Sequence, residues 1–161
     1  MSFIIIVGGD NMGLFGFFKR FDNKEIYRKE QSLQERENNL EELKETLFNA
    51  SIEIGGIVNM PEYIGKMKKK VLKILRKLSK LDGIDDIKED LKKAIEIIET
   101  ENNSHESIAF LKEFKVKLEN LEKNVENELN KTRRELKDVR WVEEEMEEEE
   151  EYEDYEDDEE F

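Results

Sequence analysis

The chain has 161 residues, enough for one domain, and 43% of them are charged, far above the roughly one quarter usual in globular proteins. It has no cysteine, which excludes disulfides and thiolate metal sites. The net charge of −15 is localised, because residues 143–161 hold 15 acidic side chains and no basic one, leaving 27 acidic and 27 basic groups in residues 1–142.

Residues 1–11 open with the apolar run Phe3–Val7, followed by Gly8-Gly9-Asp10-Asn11-Met12-Gly13. The stretch resembles the first strand and glycine loop of Rossmann reductases, which implies nucleotide binding. Yet Asp10 stands where that loop needs its second glycine, and no further strand pattern follows to build a sheet. The run is also too short, and lacks the preceding basic residue, for a secretory signal. Gly-Gly-Asp can be encoded by a sequence close to a prokaryotic ribosome-binding site, one codon before Met12. Residues 1–11 are therefore read as a leader outside the core, with translation expected to start at Met12.

Residues 12–21 follow as MGLFGFFKRF. On a helix Leu14, Phe17, Phe18 and Phe21 share a face, with Lys19 and Arg20 beside or opposite it. This suits insertion into a membrane interface or docking on a protein partner. The alternative is that the same face plugs the end of the chain's own bundle.

From residue 22 to 142 the periodicity is helical. Asp22 is placed to cap a first helix, with Glu25 at its third position and a Phe21–Ile26 staple. Ile26, Leu33, Leu40, Leu47 and Ile54 recur every seven residues, joined by Leu43, Ala50 and Ile57. Lys29 and Arg36 hold the companion positions earlier, so the amino-terminal half of this seam reads as weak. Gly55-Gly56 and Pro61 predict a break between them. A second helix is expected from about Asn59 to Leu81, with Ile64, Met67, Val71, Ile74, Leu78 and Leu81 inward. After an Asp82-Gly83 turn, a third carries Ile84, Ile87, Leu91, Ala94, Ile95 and Ile98, antiparallel to the second. Asn103 or Ser104 caps the last helix. Its stripe is Leu111, Phe114, Leu118, Leu121 and Val125, then Leu129, Thr132, Leu136 and Val139 after a four-residue stutter, ending near Met146.

The second helix is strongly basic: Lys66, Lys68, Lys69, Lys70, Lys73, Arg76, Lys77 and Lys80 oppose only Glu62. Lys66, Lys69, Lys70, Lys73, Arg76, Lys77 and Lys80 are the anion-binding candidates. Against that, Asp82–Glu101 is rich in acids and would neutralise them across an antiparallel seam. The segment 143–161 cannot bury enough apolar surface to fold and is expected to be disordered. Tyr152, Tyr155 and Phe161 are aromatic anchors within it, suited to docking in a basic groove. Over Asp157–Phe161 the tail resembles the acidic carboxyl tips of some single-stranded-DNA-binding proteins; the strand-rich domain of those proteins has no counterpart here.

Catalytic chemistry finds no footing: His105 is the single histidine, in a polar loop, and no metal-ligand spacing or cofactor motif occurs. The expected fold is all-α, an elongated antiparallel helical bundle or coiled coil of about four helices. A short amphipathic amino-terminal segment and a disordered acidic tail flank it. The expected function is that of a cytoplasmic, non-enzymatic scaffold or adaptor, without cofactor. It would dock to a protein partner or peripherally to the inner membrane face, and a coiled-coil seam would also permit homo-oligomers. The alternative is a nucleic-acid-associated protein whose lysine helix is autoinhibited by the tail.

Overall fold

A computed structural model describes residues 23–159, with side chains for residues 24–148. Among the described residues the fold is all-α, a helical bundle with no strand. Its helices are α1 (Asn23–Asn59), α2 (Ile64–Ser79), α3 (Lys88–Glu99) and α4 (His105–Glu159). Short 3₁₀ turns at Pro61–Tyr63 and Asp85–Ile87 lead into α2 and α3. The Phe3–Val7 run, the docking candidates Leu14, Phe17, Phe18 and Phe21, the Asp22 cap and Phe161 lie outside the described residues.

Each boundary has a local cause. Helix α1 runs straight through Gly55-Gly56 and stops where Pro61 opens the next turn, so proline, not glycine, ends it. The glycines serve close approach instead. A Cβ at Gly56 would sit 2.8 Å from Met67 Cε of α2, and one at Gly55 would sit 3.0 Å from Lys115 Cε of α4. Gly83 carries the turn after α2 with φ of +92°, a conformation open to glycine at little cost. Helix α3 ends in a Schellman motif: Asn102 N–H donates to Ile97 O at 2.9 Å and Glu101 N–H to Ile98 O at 3.1 Å. Ser104 caps α4, its Oγ accepting from Ser107 N–H at 3.2 Å. Helix α4 runs to Glu159, past the end near Met146 that the periodicity gives. Glutamate is a strong helix former, opposed there by like charges one turn apart.

The chain divides into two compact units. Residues 39–128 form the larger, with a core of Leu47, Ile54 and Ile57 from α1, Val71, Leu75 and Leu78 from α2, Leu91 and Ile98 from α3, and Leu111, Phe114 and Leu118 from α4. Inward positions of α2 and α3 depart from the predicted stripe. Leu72, Leu75 and Ile97 are buried, while Met67, Ile74, Leu81 and Ile95 are only half-buried. The reason is that α2 meets two neighbours, α1 on one flank and α3 on the other, so its buried face is wider than a two-position seam.

The smaller unit draws on residues 1–38 and 129–161. Its described part is an antiparallel pair. Arg140 Nε lies 3.3 Å from Glu30 Oε1 and Arg133 Nε 3.6 Å from Glu37 Oε2. Along this seam Ile26 and Leu33 of α1 are buried, as are Leu129, Leu136, Val139 and Val142 of α4. Lys29 is half-buried and Arg36 exposed at the companion positions, so this seam is the thinner of the two, as the sequence predicts.

Candidate polyanion-docking face

The basic residues of α2 separate into three strips once the helix is placed. Toward α1, Lys70 Nζ meets Glu53 at 2.9 Å and Lys77 Nζ meets Glu42 at 3.8 Å. Toward α3, Arg76 Nη2 donates to Glu99 Oε1 at 3.1 Å. Between these flanks Lys66, Lys69, Lys73 and Lys80 form an exposed ridge with no ion pair among the described residues. At 3.6 residues per turn, Lys66, Lys69, Lys73, Arg76 and Lys80 fall within an arc of about 80° and span about 21 Å.

The acids of the following segment neutralise α2 only in part: Glu99 pairs with Arg76, and the Glu101 carboxylate lies against Gly65 at its amino end. Asp90 turns to α4, where it accepts from Lys117 at 2.5 Å and raises that lysine's pKa. Glu89 pairs within its own helix with Lys92 at 3.6 Å. Only Glu99 reaches α2 in an ion pair. Charge balance counted over segments misses this, because a helix presents its charges in several directions and a pair needs the facing one.

At the amino end of the ridge Lys66 Nζ lies 5.1 Å above the Tyr63 ring, a cation–π contact. Tyr63 and Met60 are both exposed there. One aromatic ring beside five cations is a poor base-stacking platform but a reasonable contact for headgroups. Of the other aromatic candidates, Tyr152 and Tyr155 lie within the span of α4, and their side chains are outside those described.

A cleft of about 220 Å³ is lined by Lys93, Glu96, Ile97, Thr100, Asn102, Glu106, Ser107 and Phe110. Its Lys93 ammonium rests 4.4 Å from the Phe110 ring centre, and its buried Ser107 is already engaged by Ser104 Oγ at 3.0 Å. His105 is exposed. Among the described residues no group of His, Asp or Glu is placed to hold a metal ion, and no helix is long and apolar enough to cross a membrane.

Sequence reasoning missed a different feature, in the smaller unit. Glu143 presents a buried Oε1 with no hydrogen-bond donor, beside Glu30 of α1. The available signal was the apolar stripe itself, which continues past Val139 to Val142 and a half-buried Met146. Carrying the stripe one turn further would have placed Glu143 against α1 and not in the tail.

No family model, characterised protein or solved structure matches this chain.

Proposed function

We propose that the chain is a non-enzymatic helical scaffold or adaptor that docks peripherally on an anionic surface, with the inner, cytoplasmic face of a membrane as the leading candidate. The observation carrying this reading is the ridge Lys66, Lys69, Lys73 and Lys80, which has no carboxylate partner among the described residues while Lys70, Arg76 and Lys77 on its flanks are paired. A lysine near an anionic bilayer contributes about 1 kcal/mol, so four give about 4 kcal/mol, a dissociation constant near millimolar. That is too weak alone, and stable anchoring takes two signals. Leu14, Phe17, Phe18 and Phe21 supply the second in this reading, since burying one Phe side chain contributes roughly 1.5–3 kcal/mol.

The test is co-sedimentation of the full chain with vesicles of neutral lipid, with and without phosphatidylserine. Binding is expected only to the anionic vesicles, with a loss of at least tenfold in the variant Lys66→Gln/Lys69→Gln/Lys73→Gln/Lys80→Gln. A comparable loss is expected in Phe17→Glu/Phe18→Glu. Equal binding of the lysine variant and the parent would refute the reading.

The same unpaired ridge supports a second reading, binding to the phosphate backbone of nucleic acid. Releasing about four counterions gives a log–log salt slope near −3.6 on duplex DNA. Nucleic-acid binding with that slope, unaffected by Phe17→Glu/Phe18→Glu, would replace the membrane by nucleic acid.

A further inference from the structure

We propose that Glu143 holds a proton and donates it in a hydrogen bond to Glu30, forming a latch that closes the α1–α4 pair of the smaller unit while the proton is held and loosens it when Glu143 ionises. Glu143 Oε1 is buried with no donor to satisfy it. Across from it on α1 is Glu30, which Arg140, one turn before Glu143, meets at 3.3 Å, and which acts on Glu143 by hydrogen bond and charge. Ile26 and Val139, one turn before Glu30 and Glu143, and Val142 beside Glu143 are buried, and burial is the first cause that holds a proton on Glu143. Two carboxylates that close do not both ionise readily; one proton shared between them turns the repulsion into a hydrogen bond and gives the orphaned oxygen a partner.

The surrounding charges set the working range. Arg140, on the same helix, is the cation that favours ionisation of Glu143. Its guanidinium is divided, with Nε 3.3 Å from Glu30 Oε1 and Nη2 donating to Gln34 Oε1 at 2.7 Å. Glu147, one turn on, opposes ionisation. Burial first, then the Glu30 hydrogen bond and charge, push the Glu143 pKa up from its usual 4.5 to about 8. The folded unit thus keeps a proton that the unfolded chain gives up above pH 4.5. The stabilisation is fully present below that value and is lost as pH rises through about 8.

The molecule carries its own reporter. Trp141 is the chain's single tryptophan, two residues from Glu143 and partly exposed. Its fluorescence, and a thermal melt followed by it, are to be recorded on the full chain from pH 6 to 9.5. For the parent we expect a spectral step centred near pH 8, with a Trp141-monitored midpoint roughly 5 °C lower at the alkaline end. In Glu143→Gln the amide donates to Glu30 at every pH, so both readouts should be flat. Glu143→Leu removes the charge without a donor; it should also lose the step, so a folding defect in one variant cannot mask the result. A step that survives in both variants belongs to groups other than Glu143. A surviving step, or a flat parent, would overturn the proposal.

Discussion

Glu101 holds φ of +50° at the position after α3 where the Schellman geometry calls for a left-handed residue, and glycine is the usual occupant. A side chain there costs about 1 kcal/mol or more, which glycine's larger unfolded-state entropy offsets in part. Glu101→Gly is therefore expected to stabilise the protein by about 0.5–1 kcal/mol in urea melts. At Gly83 the argument reverses. Its φ is +92° and an added Cβ would lie 3.1 Å from Leu43 Cδ2, so Gly83→Ala meets both backbone strain and a packed side chain. A loss of about 1–2 kcal/mol is expected by the same measurement. The two substitutions exchange glycine in opposite directions at left-handed positions, and opposite signs are the expected result.

At the scale of elements, two irregularities in the heptads carry more information than the heptads themselves. Polar Lys29 and Arg36 thin the first seam, and the step from Val125 to Leu129 interrupts the last stripe. The division between the two units falls at residues 38/39 and 128/129, beside both irregularities. Helix number, order and the antiparallel hairpins were legible for the same reason: period-3.6 patterning is local and long helices repeat it many times. The basic residues were legible as a class, but which of them stay unpaired depends on how α2 is rotated between α1 and α3, and no local pattern states that. The break expected between Gly55-Gly56 and Pro61 falls there, after Asn59, but local pattern did not show the neighbour that the two glycines admit. That neighbour yields a graded prediction. Gly56→Ala places its Cβ 2.8 Å from Met67 Cε, the movable end of a flexible side chain. The displacement should roughly cancel the gain of about 1 kcal/mol in helix propensity. Gly56→Ile cannot be absorbed this way and should cost about 1–3 kcal/mol, read as a lower urea midpoint with unchanged slope.

At the scale of the whole sequence a charge-balanced body is joined to a polyanionic end, and in the proposed docking the two would act on an anionic surface in opposite senses. Residues 149–161 contain 10 acidic side chains and no basic one, so removing them takes the net charge from −15 to −5. They lie beyond Val142 and Met146, the last side chains seen packed in the smaller unit, so cutting at Glu148 leaves the described core and the Glu30–Glu143 pair in place. Long-range repulsion between this end and an anionic vesicle acts mainly during approach and is screened beyond ~8 Å at physiological salt. Truncation after Glu148 is therefore expected to strengthen vesicle binding several-fold at low ionic strength, and the gain should shrink toward none near 0.15 M salt. The Trp141-monitored melting midpoint should stay within about 2 °C of the parent. The discriminating comparison is the truncated chain with and without Lys66→Gln/Lys69→Gln/Lys73→Gln/Lys80→Gln, measured across the salt series. If the tail only repels the surface that the ridge attracts, removing the ridge abolishes the binding that truncation gained. If the truncated chain still binds as tightly without the lysines, the tail was masking some other surface, and the ridge loses its assigned role.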